Sequence, residues 1–171
     1  MNLSKLLKPH LKEIAEEWFR EVINSYPDES VKFLMKDKKK FSNPVGFNIS
    51  QELSTISEEL INFEDNDLLI ESIDNLMRIR AVQDMKPSQA TAIFLPLKEI
   101  IEKHLDLKKG NNIKEYIEMC RRIDYLTSLG FDSYVKMVKK IYDIKSNEVE
   151  KRFGKAVERI NRKYGFDDSI N

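Results

Sequence analysis

The stretch Pro87-Ser88-Gln89-Ala90-Thr91-Ala92-Ile93-Phe94-Leu95-Pro96-Leu97-Lys98-Glu99-Ile100-Ile101-Glu102-Lys103-His104-Leu105 decides the fold class. Its apolar residues Ala90, Ile93, Phe94, Leu97, Ile100, Ile101 and Leu105 recur every three or four positions, which is the period of one helix face and not of a strand. A segment this apolar predicts a central core helix. Pro87 opens it, because the residue before a proline is pushed away from helix while proline itself suits the first helical turn.

Working outward, the same period continues on both sides. Leu7, Leu11, Ile14, Trp18 and Val22 predict a first helix ending near Tyr26-Pro27, and Glu29 to Met35 predicts a short second one. Lys36 to Lys40 reads as an exposed connection. Asn43-Pro44 marks the next start, with Asn as the cap, Pro at the first helical position and Phe41 expected as a hydrophobic staple. Val45, Ile49, Leu53, Ile56 and Leu60 follow on one face. The turn Glu64 to Asp67 leads into a helix carrying Leu69, Ile73, Leu76, Met77, Arg80 and Ala81. Gly110-Asn111-Asn112 is a stop and restart. From Ile113 the pattern runs to Tyr164, with a kink or break expected at Ser128-Leu129-Gly130, since an interior glycine costs a helix about 1 kcal/mol relative to alanine. Residues 167–171 are expected to fray. The chain is therefore predicted to be all-α, a helical bundle with a long C-terminal helix.

The 171 residues suit one domain, read here as 1–171, with the helix after about 131 set apart as a dimer or signalling helix. That tail carries Val135, Val138, Tyr142, Val149, Phe153, Ala156 and Ile160 at coiled-coil-like spacing on a highly charged background. The predicted partner is a protein or a second copy of the chain, as a homodimer. The 29 basic and 29 acidic side chains balance, which excludes a general nucleic-acid binder, and no apolar run is long enough for membrane insertion. The balance is uneven along the chain. Gln51 to Asn75 holds eight acidic and no basic residues, net −8, whereas Lys136 to Lys163 holds ten basic and four acidic ones, net +6. Such an asymmetry suits a complementary partner or two solvated helix faces. One cysteine, Cys120, forms no internal disulfide, and the start of the chain has no signal-peptide pattern; both suit a cytoplasmic setting.

The chemistry-bearing residues are sparse. Five scattered glycines make no phosphate loop. Two histidines 94 positions apart and one cysteine are a poor zinc set, so no metal is expected. Cys120, flanked by Arg121 and Arg122, would be an activated thiol only with a base such as His104 and a group to orient it. His104, on an apolar helix, is the candidate haem ligand of a globin-like sensor, against the plain reading of a histidine closing a helix; no cofactor is otherwise indicated. The densest polar cluster is Arg78, Arg80, Gln83, Asp84, Ser88 and Gln89. Arg80 and Asp84, spaced i,i+4, share a helix face; either Asp84, Ser88 and Gln89 cap the free amides of the new helix start, or Arg80 bridges to Asp84 across the corner. This corner is read as structural or as a ligand or partner site.

Several of these motifs together resemble a known family. They are Trp18, Tyr26-Pro27, Phe41-x-Asn43-Pro44-Val45-Gly46, Ile79-Arg80-Ala81-Val82-Gln83-Asp84, Pro87-Ser88-Gln89-Ala90, Leu97-Lys98-Glu99, Phe131-Asp132 and Ile141-Tyr142, spread over residues 3–150. The sequence resembles the N-terminal sensory domains of the RsbT co-antagonist proteins, the RsbR paralogues of the bacterial stressosome. Met85-Lys86 departs from the aromatic and small residues expected there. The resemblance implies a dimeric, globin-like helical input module without haem and without enzymatic activity, working in signal transduction or stress response beside an output domain with phosphorylatable Ser or Thr. The expected function is thus a non-catalytic sensory or regulatory domain acting through protein contacts. Its rivals are a haem- or small-ligand-binding sensor and an enzyme using Cys120 or the Arg80/Asp84 corner.

Overall fold

The computed structural model of the chain describes residues 3–36, 41–62, 67–108 and 112–165. These residues are all-α, with no strand among them. In order they form α1 (Leu3–Leu7), a 3-10 turn (Lys8–His10), α2 (Leu11–Asn24), α3 (Asp28–Lys36), α4 (Pro44–Asn62), α5 (Asp67–Val82), α6 (Pro87–Thr91), a second 3-10 turn (Ala92–Phe94), α7 (Pro96–His104) and α8 (Asn112–Tyr164). The chain divides into two compact units, residues 1–137 and 138–171.

In the first unit α2 packs on α4 and α7, and α4 packs on α5. The core holds Ile14, Trp18, Phe19, Val22 and Ile23 of α2, Ile49, Leu53, Ile56 and Leu60 of α4, Leu69, Ile73, Leu76 and Met77 of α5, and Phe94, Leu97, Ile100 and Ile101. These are the faces that the 3.6-residue period picks out. Trp18 fills the centre, and its indole N–H donates to the Ile93 carbonyl at 2.6 Å, so a large apolar ring is buried with its one donor satisfied. The first half of α8 adds Met119, Ile123, Leu126, Tyr134 and Met137 to the same core. It is tied down by Arg122 Nη1, which donates to the carbonyls of Leu60 and Ile61, and by Ser133, which donates to Asp74.

Asn43 is the predicted cap. Its Oδ1 accepts the Gly46 N–H at 2.9 Å, while its Nδ2 donates to the Leu34 carbonyl at 2.8 Å, so one buried side chain closes α3 and opens α4. A Cβ at Gly46 would lie 2.4 Å from that same amide, which is why a glycine follows the cap.

The structure corrects several expectations. Phe41 is 99 % exposed and staples nothing. The first helix is divided at Pro9 by a 3-10 turn, and the helix expected from Pro87 to Leu105 is divided at Pro96, which removes a backbone donor and restarts the chain as α7. Conversely, no break occurs at Gly130: α8 runs continuously through it. The connections at 37–40, 63–66 and 109–111 and the end of the chain at 166–171 lie outside the described residues.

Candidate functional site

The corner between α5 and α6 is where the unusual chemistry of the first unit collects. α5 ends at Val82, and the chain turns through Asp84 with a φ of +55°, a left-handed conformation that aspartate tolerates better than most side chains. Pro87 then opens α6, whose first backbone N–H groups have no helical partner. Gln89 turns its side chain back so that Oε1 accepts the Lys86 N–H at 3.4 Å.

Arg80 lies beneath this corner and is fully buried. One guanidinium nitrogen, Nη2, donates to Ser25 Oγ at 3.1 Å and to the Gln89 carbonyl at 3.0 Å. It thereby joins the end of α2, the last turn of α5 and the start of α6. The guanidinium carbon sits 5.2 Å from the centre of the Tyr26 ring, a cation–π arrangement. Arg80 Nε, Arg80 Nη1 and the Tyr26 hydroxyl have no hydrogen-bond partner among the described residues. Burial lowers the Arg80 pKa, opposed by the nearby Tyr26, and burial raises that of Tyr26, opposed by the cation. Arginine nevertheless keeps its charge. The result is a buried cation held by neutral groups.

The expected bridge from Arg80 to Asp84 does not form. Because α5 stops two residues before Asp84, the i,i+4 relation on a helix face does not apply, and Asp84 is exposed. Gln83, Ser88 and Gln89 are exposed on the same corner, and Arg78 is exposed on α5. A cavity of about 670 Å³ opens at this corner, lined by Ser25, Tyr26, Pro27, Ser30, Gln83, Asp84, Met85 and Gln89; Arg80 lies behind Ser25, Tyr26 and Gln89 and does not itself line it. Tyr134 of α8 closes the corner from another side by donating its hydroxyl to the Met85 carbonyl.

Cys120 is half-buried. The flanking arginines face Glu118, at 3.7 Å from Arg121 and 3.6 Å from Arg122, and the neighbouring Tyr116 hydroxyl is pushed up to about 12, by partial burial first and by Cys120 second. His104 is not paired with Cys120. It closes α7 with Nε2 3.3 Å from Glu17 and lies against His10. This meeting of the chain's two histidines is not legible in the sequence, because no local pattern reveals a contact across 94 residues.

At 100° per residue, Val138, Tyr142, Val149, Phe153, Ala156 and Ile160 of the second unit lie within a stripe about 60° wide along α8, while Val135 belongs to the first unit. Within the second unit Tyr142 is 69 % exposed and Phe153 71 %, with Val149 and Ile160 more than half exposed. Among the described residues no helix is long and apolar enough to cross a membrane. Comparison of the chain with known protein families, with characterised proteins and with solved structures returns no match.

Proposed function

We propose that this chain is a non-catalytic sensory or regulatory domain of bacterial signalling or stress response that acts through protein contacts, its contact face being the apolar stripe of α8. The observation that carries the reading is the exposure of Tyr142, Val149, Phe153 and Ile160 on one face of a helix. Isolated exposed apolar residues are ordinary, but an aligned row is the mark of a surface that pairs. The row from Tyr142 to Ile160 is about 27 Å long, and its seam-like spacing suits a second copy of the same helix. Its likeness to the co-antagonist sensory domains points the same way. Mass measurement in solution over a concentration series tests it. A dimer is expected at tens of micromolar, and Val149→Glu with Phe153→Glu should give a folded monomer. A monomeric parent chain, or a dimer that survives both substitutions, overturns it.

The Arg80 corner favours a second reading, a small-ligand sensor. A buried cation with two unpartnered donors, separated from a 670 Å³ cavity by Ser25, Tyr26 and Gln89, suits a small anion that displaces one of them. Thermal unfolding in the presence of small carboxylates and phosphate checks it. A saturable upward shift lost in Arg80→Met supports this reading, and the absence of any shift removes it.

A further inference from the structure

We propose that His10, Glu13 and His104 bind a divalent transition-metal ion of the zinc class, with Glu17 as the outer carboxylate that orients His104. The chain has two histidines, and the fold brings both to one place. Their ring centres are 5.0 Å apart, and one donor atom from each of His10, Glu13 and His104 lies within 4.8 Å of the others. His10 Nδ1 is 3.4 Å and His104 Nδ1 3.8 Å from the same oxygen, Glu13 Oε2. In a tetrahedral zinc site the donors sit about 2.0–2.2 Å from the ion and so roughly 3.4 Å from one another. Two of these separations are already near that value. The rest close by small rotamer changes of Glu13, which is exposed, and His10, which is half-exposed.

The surroundings of His104 supply a second, separate observation. Its other ring nitrogen, Nε2, is 3.3 Å from Glu17 Oε1, and Glu17 Oε2 is 3.5 Å from Lys103 Nζ. A carboxylate on the far nitrogen fixes an imidazole's tautomer and aims the free nitrogen at a metal. A simple ion pair needs one imidazole and one carboxylate. It gives no reason for a second imidazole at 5.0 Å, facing the same carboxylate oxygen. Two nitrogen donors and one carboxylate select zinc-like ions over calcium or magnesium, and three protein donors leave a fourth position for water. The placement also suits a cation, because His104 is the last residue of α7, where helix carbonyls point outward. A bound ion would join the start of α2 to the end of α7.

The test uses the full chain, stripped with chelator and titrated with zinc by calorimetry, with cobalt(II) absorption as a report on geometry. One ion per chain is expected, with micromolar or tighter affinity, tetrahedral cobalt bands and a rise in unfolding temperature. His10→Ala and His104→Ala should each abolish the cobalt bands, and Glu17→Gln should weaken binding about 10–100-fold. His10 is half-exposed, so its variant keeps the fold and decides the matter even where His104→Ala does not fold. Zinc affinity unchanged in His10→Ala, or no saturable binding below millimolar zinc, overturns the proposal.

Discussion

The ring of Phe94 occupies the space that a side chain at residue 130 would need: a Cβ built on Gly130 lies 2.3 Å from Phe94 Cε2. Phe94 is fully buried beside Trp18, ring centres 6.0 Å apart, and has nowhere to retreat. Helix propensity alone would make Gly130→Ala stabilising by about 1 kcal/mol. The overlap reverses the sign, and the variant should lose about 1–3 kcal/mol. Urea unfolding measures it, and a gain in stability would show that the Phe94 ring moves aside freely.

Arg80 separates volume from polarity. Arg80→Ala should lower stability by about 1–3 kcal/mol, by leaving a cavity and freeing the Gln89 carbonyl. Arg80→Met keeps most of the volume and removes a buried cation that no carboxylate balances, so it should cost clearly less. Equal losses in the two variants would mean that the bonds to Ser25 and Gln89 are what hold the corner.

Asp84 tests the turn. At a φ of +55° a glycine is unstrained, and Asp84 is exposed, so Asp84→Gly should be neutral or stabilising by up to about 1 kcal/mol. Asp84→Val should destabilise, because a β-branched residue fits that region poorly. Thermal unfolding of the pair, compared in one buffer, reads both signs.

Asp74 gives a pH dependence. Burial alone would raise its pKa, but hydrogen bonds from Lys136, at 2.7 Å, and Ser133, at 2.6 Å, outweigh burial and hold the carboxyl below its ordinary value of 3.8. A folded-state pKa below the unfolded one contributes stability that is full above the unfolded value and lost as pH falls through the folded one. Lys136 is mostly exposed, so the contribution is modest, about 0.5–1 kcal/mol. Asp74→Asn should be less stable than the parent at neutral pH, and the gap should close below pH 3.8, in urea midpoints taken at both ends.

Where a residue's environment is made by its own helix, the sequence was readable. The faces of α2, α4 and α5 follow from apolar spacing, and Asn43-Pro44 from cap chemistry. The errors share a cause. Gly130 looked like a break because Phe94, 36 positions earlier, is invisible to a local reading, yet that ring is what a glycine accommodates. Pro96 is hidden because the apolar period continues across it. The i,i+4 spacing of Arg80 and Asp84 misleads because the helix ends between them. At the candidate sites, residue types were legible and partners were not: Arg80 meets Ser25 and Gln89, and His104 meets His10 and Glu17, each through chain reversals that no spacing encodes.

Trp18 has a consequence of another kind. It is the chain's single tryptophan, sealed in the middle of the first unit with its N–H on Ile93. Excited at the red edge of the tryptophan band, where the six tyrosines barely absorb, the protein therefore carries one emitter, placed to report on that interior alone. Loosening of the α2–α7 packing should move its emission to the red, whereas pairing confined to the stripe of residues 142–160 should leave the spectrum still. One optical signal then tells an event in the core from an event on the tail, without a label.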